Sequence, residues 1–272
     1  MTAWPPRPPG RIRALVGKEF LDIARNPTAL LPVVLVTIVT LATAFGIALA
    51  LPVLTGHALG EDRELLKLSS IMGLHDELSG DGRIQLFLFQ QFLMLFLVIP
   101  VTGAMAFATH AVVGEKQART LEPLLATPIT TFELLVAKVL GALLPTLAIS
   151  LAGLAMYFGG VALFGEPGVI RAMASPRTAL LVLLVGPACA LVSLQSAILI
   201  SSRVNDARTA QQFGVLIIIP LSALLVAQFM GMVWLSAYAL GLMGLGLVGV
   251  WILLTLFSVA IFERESILTR WR

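Results

Sequence analysis

Five long stretches of this chain contain no aspartate, glutamate, lysine or arginine. They are Asn26–Gly60, Ile84–Gly114, Val139–Gly165, Thr178–Ser202 and Thr209–Phe262. A helix needs about 20 apolar residues to cross ~30 Å of hydrocarbon, so each of the first four stretches can hold one span. The fifth is long enough for two spans joined by a tight turn, which we expect near Trp234–Ser236. The apolar runs are continuous rather than alternating, which favours six transmembrane helices over a β-barrel.

The distribution of charge predicts the orientation of these helices. Only 12% of the residues are charged and 58% are apolar, whereas a water-soluble domain has about 25% charged residues. Thirteen of the eighteen lysines and arginines lie in the N-terminal segment, the tail and the segments that follow spans two and four. Because positive charge accumulates in cytoplasmic loops, both termini are expected in the cytoplasm. The net charge of +3 therefore needs no nucleic-acid partner.

The sequence thus predicts an all-α integral membrane protein with two regions. Residues 1–26 form a cytoplasmic lead and an amphipathic helix, and residues 27–272 form the six-helix transmembrane domain. Within that domain we expect an outer loop at about 55–85, a cytoplasmic loop at about 114–131 and an inner loop at about 203–212. One or two short helices are expected in the outer loop, on the evidence of its apolar residues Leu65, Leu66, Leu68, Ile71, Met72 and Leu74.

The amphipathic helix begins near Arg11. One face carries Ile12, Leu15, Val16, Phe20 and Ile23, and another carries Arg11, Lys18, Asp22 and Arg25. A basic amphipathic helix before a first span is expected to lie flat at the membrane interface. Asn26-Pro27 should end it, because the residue before proline avoids the α conformation. The alternative is a charged retention anchor with no further role.

The cytoplasmic loop after span two carries the most informative motif. Thr120 can cap a short helix, Pro123 is tolerated in its first turn, and Pro128 ends it. Three leucines, at 121, 124 and 125, then share one face. An apolar face exposed to the cytosol indicates a partner that covers it.

This loop resembles the permeases of type-2 ABC exporters. The matching residues are Glu115-Lys116, Thr120-Leu121-Glu122 and Leu124-Leu125-x-Thr127-Pro128, followed by Glu133. The chain has Arg119 where the family pattern has glycine, and Ala137-Lys138 where it has Gly-Lys. Lys18-Glu19-Phe20 and Arg25-Asn26-Pro27 are similar to the start of the family's chains.

The resemblance implies roles for both segments. The N-terminal helix would be the family's elbow helix, with Lys18, Glu19, Phe20 and Arg25. The loop would be its coupling helix, which docks on a cytosolic ATPase. The ATPase-coupling residues would be Glu115, Lys116, Thr120, Leu121, Glu122, Leu124, Leu125, Thr127 and Pro128.

The resemblance also implies partners. ATP and Mg would be bound by a separate ATPase, present in two copies, and this chain would hold no cofactor. Six spans are half of the family's usual twelve, so a second permease is needed; the same chain is the default, and a paralogue stays open. The complex would lie in the inner (plasma) membrane of a bacterium, in contact with membrane lipid and without nucleic acid.

Motifs for catalysis are absent from the sequence. The only Gly-Lys pair, Gly17-Lys18, is followed by Glu19, so no phosphate-binding loop occurs. Gly244, Gly246 and Gly249 match a dinucleotide fingerprint, but they lie within span six, where small residues serve close helix packing. The histidines and the single cysteine, Cys189, have no metal-ligand spacing, so no metal site is predicted. We therefore interpret the chain as a permease and not as an enzyme.

Two other functions stay open, an ion-coupled secondary transporter and a membrane scaffold that transports nothing. Secondary transporters usually keep ionisable residues inside the membrane, and this chain has none at mid-span. A neighbouring reading frame for an ATPase would favour an exporter over a scaffold. A charge-free pathway suits outward movement of an apolar or amphipathic substrate. Its candidate residues are Phe89, Gln90, Phe92, Phe96, Gln195 and Gln228, although the three phenylalanines fit lipid contact equally well.

Overall fold

The described part of the chain is entirely helical. A computed structural model describes residues 11–70, 78–117, 131–204, 209, 212–213 and 215–261, and these contain no strand. The α-helices are α1 (Arg11–Ala24), α2 (Pro27–Thr55), α3 (Arg63–Ser70), α4 (Gly80–Leu95), α5 (Val98–Gln117), α6 (Thr131–Phe164), α7 (Val169–Met173), α8 (Pro176–Leu180), α9 (Gly186–Arg203), α10 (Val215–Phe229) and α11 (Ala237–Ile261). A 3₁₀ turn at Leu59–Glu61 and a π-helical turn at Leu181–Val185 complete them. The predicted all-α class is confirmed.

Five helical stretches of the described residues are long and apolar enough to cross a membrane. They are Pro27–Ala50, Gly80–Gly114, Val136–Phe164, Pro176–Ser201 and Ala237–Ser258. Helix α10 is also apolar, but its 15 residues extend only about 22 Å at a rise of ~1.5 Å per residue. The sixth span and the orientation of the termini therefore stay predictions. The turn expected near Trp234–Ser236 is confirmed, since the chain is not helical there between α10 and α11.

Polar residues that cap helices determine where the chain turns. The Asn26 side chain accepts hydrogen bonds from the backbone nitrogens of Thr28 (3.0 Å) and Ala29 (3.3 Å), and Pro27 occupies the first helical position of α2. Both features start a helix, and the predicted break at Asn26-Pro27 is confirmed. Ser79 begins α4 in the same way, because its hydroxyl accepts from the Gly82 nitrogen at 3.0 Å.

The segment between α2 and α4, which the sequence predicts to be an outer loop, contains a short helix, α3. Outside the described residues lie the remaining apolar residues on which that prediction rests, Ile71, Met72 and Leu74. The 3₁₀ turn before α3 rests on the start of α4, where the Gly60 nitrogen donates to the Asp81 carboxylate. Gly60 and Gly80 are in backbone contact, since a Cβ at Gly80 would lie 3.3 Å from the Gly60 Cα.

The centre of the bundle is the α4–α5 stretch, most of whose residues are buried. Around it, Phe45 of α2 and Tyr157 of α6 pack against Phe89, with ring centroids 5.6 Å (Phe45–Phe89) and 6.1 Å (Phe89–Tyr157) apart. The Tyr157 hydroxyl donates to the Phe89 carbonyl, which satisfies the one polar group of this aromatic cluster. The outer surface is also apolar: Leu54 is 81% exposed and Leu183 is 74% exposed. Exposed leucines at such density fit a hydrocarbon environment.

Candidate functional site

A buried ion pair joins three helices at the end of the bundle that carries α1. The Glu19 carboxylate (Oε1) of α1 lies 3.5 Å from the Lys138 ammonium (Nζ) of α6, and both side chains are only 5% exposed. Lys138 Nζ also donates to the Ala111 carbonyl of α5 at 2.7 Å. Buried charges are tolerated when they are paired and hydrogen-bonded. One lysine therefore fastens α1, α5 and α6 together.

Gly141 explains how α1 can lie so close to α6. A Cβ atom at this position would lie 2.4 Å from the Glu19 Cβ, a distance that no real Cβ contact reaches. Only glycine leaves room for the carboxylate to reach Lys138, which is three residues earlier on the same helix. The sequence analysis missed this pairing. The one sequence feature that points to the Glu19–Lys138 pair is the position of Lys138, immediately before the charge-free stretch Val139–Gly165.

A second polar link fastens the corner between α1 and α2 to α5. Asn26 Nδ2 donates to His110 Nε2 at 2.7 Å, while its side-chain oxygen caps α2. His110 and Ala111 are consecutive on α5, so both links attach at the same level. The N-terminal helix and the first span are thus held to the central helix by hydrogen bonds as well as by apolar packing.

The four predicted elbow residues differ in their surroundings. Glu19 is buried, and Lys18 is partly exposed beside Glu19 (3.5 Å) and Asp22 (3.7 Å). Phe20 is 45% exposed and Arg25, in the turn after α1, is also exposed. Among the described residues, α1 packs on the bundle with Glu19 and Ile23 rather than with Phe20, because Lys138 draws the carboxylate inward. The position of α1 at the membrane interface stays a prediction.

Most of the predicted coupling residues lie outside the described part of the chain. Glu115 and Lys116 belong to the last turn of α5, and their side chains are not described. Thr120, Leu121, Glu122, Leu124, Leu125, Thr127 and Pro128 all fall within the undescribed residues 118–130. The flanking helices are described: α5 ends at Gln117 and α6 begins at Thr131. The Ala111–Lys138 hydrogen bond joins them about two helical turns from these ends.

The three phenylalanines of the predicted substrate path face the inside of the bundle. Phe89, Phe92 and Phe96 are each no more than 5% exposed. Phe89 belongs to the aromatic cluster around Phe45 and Tyr157, and Phe92 packs on Phe229 of α10 with a centroid distance of 5.3 Å. All three side chains are therefore packed inside the bundle rather than on its outer surface, and their contact with a substrate stays a prediction.

The glutamines of that path do not form one site. Gln195 of α9 donates to the Ser258 hydroxyl of α11 at 2.6 Å, away from α4. Gln228 of α10 is 1% exposed, and its amide nitrogen and oxygen have no hydrogen-bond partner among the described residues. Its backbone carbonyl accepts from Gln91 Nε2 at 3.2 Å, which places α10 beside α4.

Gln90 has a partner that the sequence analysis did not single out. Arg177, in the first turn of α8, donates through Nη1 to the Gln90 side-chain oxygen and through Nε to the Leu235 carbonyl (2.9 Å). Its guanidinium stacks on Trp234, with Cζ 3.9 Å from the ring centroid. The signal in the sequence is the position of Arg177 directly after Ser175-Pro176, which start the helix. A cation in a first turn opposes the helix dipole, so it needs another reason to be there.

Together, fold and site define a class of protein. The described residues form a multi-pass helical membrane protein whose polar groups join helices at the two ends of an apolar bundle. Within these residues no group of three His, Cys, Asp or Glu side chains is arranged to hold a metal ion.

Comparison with protein families gives the particular family. The model described as "ABC-2 family transporter protein" matches residues 13–258, and the chain belongs to that family. The resemblance found in the sequence is therefore confirmed. The chain is the membrane component of an ABC transporter, a permease that is not itself catalytic, and the family generally works with an ATP-binding-cassette partner. No curated protein matches the sequence.

Proposed function

We propose that this chain is the permease half of an ATP-driven exporter. A separate cytosolic ATPase, present in two copies, binds ATP and Mg and docks on residues 114–131, the coupling segment. Two copies of this chain form the pathway through which an apolar or amphipathic substrate moves outward. The proposal rests on the family match together with one structural observation, the buried connection among Glu19, Lys138 and Ala111.

This connection supports coupling because of where it lies. The helices that precede and follow the coupling segment, α5 and α6, are joined to each other by the Lys138–Ala111 hydrogen bond and to α1 by Glu19. A force applied to the coupling segment is therefore applied to three helices at once. A loop between two unconnected helices would instead absorb the displacement locally.

The burial of charged groups disfavours an ion-coupled transporter. In the described residues the fully buried charged side chains are Glu19 and Lys138. They pair with each other at one end of the bundle rather than at mid-span. A proton or sodium relay needs ionisable or coordinating groups within the membrane. An energy source outside the chain fits this arrangement better.

A substitution in the coupling segment tests the proposed function. Burying one leucine in a groove of the ATPase contributes about 1.5–3 kcal/mol at full burial, which is roughly ten- to hundred-fold in Kd. Leu124→Asp removes this contribution and places a charge in the groove. We expect the co-expressed ATPase to dissociate during purification, or its turnover to lose substrate stimulation.

The matched control is Leu54→Asp, the same substitution at a leucine that lies near the C-terminal end of α2 and is 81% exposed. It should leave ATPase binding unchanged, and both variants should reach the membrane at wild-type levels. If the normally inserted Leu124→Asp permease keeps its ATPase and its stimulated turnover, residues 114–131 are not the coupling segment. The exporter proposal would then lose its main support.

A further inference from the structure

A lateral cavity of about 220 Å³ lies between α4–α5, α6 and the π-helical turn before α9. Residues that line it include Leu93, Phe96, Leu151, Leu154, Leu181 and Val182. The Ser150 hydroxyl at its wall donates to the Thr146 carbonyl of its own helix, so it offers no donor to the cavity. An apolar cavity of ~150 Å³ already stays dry and binds benzene. The cavity therefore suits an apolar group and not water.

Two interruptions of helical structure create this space. Helix α4 ends at Leu95 and α5 begins at Val98, and directly opposite them residues Leu181–Val185 form a π-helical turn. Such wide turns are rare and occur frequently at functional sites. A gap in a closely packed interior also costs stability when it is left empty. Two adjacent irregularities that open one cavity are thus expected to serve a ligand.

The mouth of the cavity opens on the apolar outer surface of the bundle. Leu151 and Leu183 both line it, and they are 57% and 74% exposed on the outside of the bundle. An occupant can therefore enter sideways from the bilayer, and an acyl chain is the apolar group that the bilayer supplies in this form.

A partly buried cation, Arg177, lies one helical turn beyond the cavity on the same faces. Gln90 is three residues before Leu93 on α4, and Arg177 is four residues before Leu181, so each pair shares a helix face. Arg177 donates hydrogen bonds to Gln90 through Nη1 and to Leu235 through Nε. Its Nη2 is buried and has no hydrogen-bond partner among the described residues. No carboxylate of the described chain lies within ion-pair distance of it. An anion would give the buried Nη2 an acceptor and the guanidinium a counter-charge.

We propose that the cavity and Arg177 together form a binding site for an anionic single-chain amphiphile. The acyl chain fills the cavity between Phe96, Leu154 and Leu181, and the anionic head group accepts a hydrogen bond from Nη2 of Arg177, whose guanidinium face is stacked on Trp234. Only the identity of the ligand as transported cargo rests on the proposed function; the binding site itself does not.

Photolabelling of the purified permease, without any ATPase, tests the site. The probe is a diazirine analogue of palmitate in neutral alkyl-maltoside micelles, compared with a monoacylglycerol of the same chain. Adducts are expected on the residues that line the cavity, on α4–α5, α6 or the π-helical turn. Adducts confined to other segments would overturn the proposal even if no variant folded.

Three variants separate the head-group contact from the cavity. Arg177→Gln should weaken palmitate binding roughly ten-fold or more, since hydrogen bonds to charged groups are the strong ones, and should leave the monoacylglycerol unchanged. Arg171→Gln, at an exposed arginine of α7, is the matched control and should bind both probes normally. Gly186→Leu should abolish labelling by both probes, because a Cβ there meets only ordinary contacts and the side chain fills the cavity. Wild-type palmitate affinity in Arg177→Gln, or retained labelling in Gly186→Leu, would refute the assignment.

A final measurement shows whether the ligand of this site is a transported substrate or a lipid of the bilayer. In phosphatidylcholine nanodiscs with the ATPase bound, palmitate that stimulates ATP turnover in the wild type but not in Arg177→Gln identifies the ligand as cargo. Competition of phosphatidylglycerol with the photoprobe, without stimulation, identifies a bilayer lipid. Both results support the site, whereas failure of the ATPase to bind contradicts the exporter proposal alone.

Discussion

Replacing Lys138 by methionine removes one charge from the buried pair and keeps the aliphatic stem. The attraction between unit charges 3.5 Å apart is about 5 kcal/mol at an effective dielectric constant of ~20. Removing one partner of a buried pair typically costs about 3–5 kcal/mol. The contact that Glu19 keeps, with the partly exposed Lys18 at 3.5 Å, compensates little because solvent screens it. The Ala111 carbonyl also loses its donor. We therefore expect Lys138→Met to lower the free energy of unfolding by about 3–5 kcal/mol.

Two further variants show whether burial is the cause. Lys18 lies at the same 3.5 Å from Glu19, but its side chain is 44% exposed. Solvent screening should limit the effect of Lys18→Met to about 0–1 kcal/mol. The double variant Glu19→Met with Lys138→Met removes both buried charges, and it should recover most of the loss, since apolar replacement of a whole buried pair is often neutral.

The single cysteine of the chain provides the assay. Cys189 lies on α9 and is only partly accessible, so a thiol-reactive fluorogenic dye reports unfolding as the detergent-solubilised protein is heated. A loss of 3–5 kcal/mol corresponds to a fall in Tm of roughly 6–20 °C for a chain of this size. The reasoning is refuted if Lys138→Met melts within 2 °C of Lys18→Met. It is also refuted if the double variant is as unstable as Lys138→Met.

Two other predictions concern helix packing and topology. Gly141→Ala should lower the free energy of unfolding by about 1–3 kcal/mol, because its Cβ meets Glu19. Gly159→Ala on the same helix meets nothing within 4 Å and should raise the free energy of unfolding by roughly 0.5–1 kcal/mol. The same melting assay measures both, and a Gly159→Ala variant less stable than Gly141→Ala would contradict the packing of α1 on α6. On a Cys189→Ser background, a membrane-impermeant thiol reagent should label Asp76→Cys only from outside and Lys116→Cys only from the cytosol. Labelling of position 76 from the cytosol alone would exclude the six-span topology.

Local signals predicted the architecture well. The length of each charge-free stretch predicted where the long apolar helices run, because a membrane span has a fixed minimum length. Asn26-Pro27 predicted the break between α1 and α2, since a capping side chain and a proline act within a few residues of themselves. The non-helical stretch at Trp234–Ser236 was predicted for a similar reason: 54 apolar residues cannot remain one span. These features need no knowledge of how the helices face one another.

Contacts between helices could not be predicted in this way. Glu19 and Lys138 are far apart in the sequence, and so are Gln90 and Arg177. A helix that is apolar all round has no preferred face, so its rotation in the bundle is decided by packing with its neighbours. For that reason the sequence left open whether Phe89, Phe92 and Phe96 face lipid. The cavity depends on a π-helical turn, and its residues, Leu181–Val185, carry no proline or glycine that would signal one.

The charges at the two ends of the bundle differ in a way that bears on mechanism. Lys138 at one end binds both the Glu19 carboxylate and the Ala111 carbonyl. The chain itself therefore holds together the end that carries the proposed coupling segment. Arg177 at the other end binds the Leu235 carbonyl and the Gln90 amide oxygen, and it has no anionic partner in the part of the chain that the structure describes. The first arrangement suits the transmission of a force and the second suits the capture of a ligand. In the described residues no charged side chain is fully buried between these ends, and this agrees with the proposal that the energy for moving a ligand enters at the coupling segment rather than through an ion relay within the membrane.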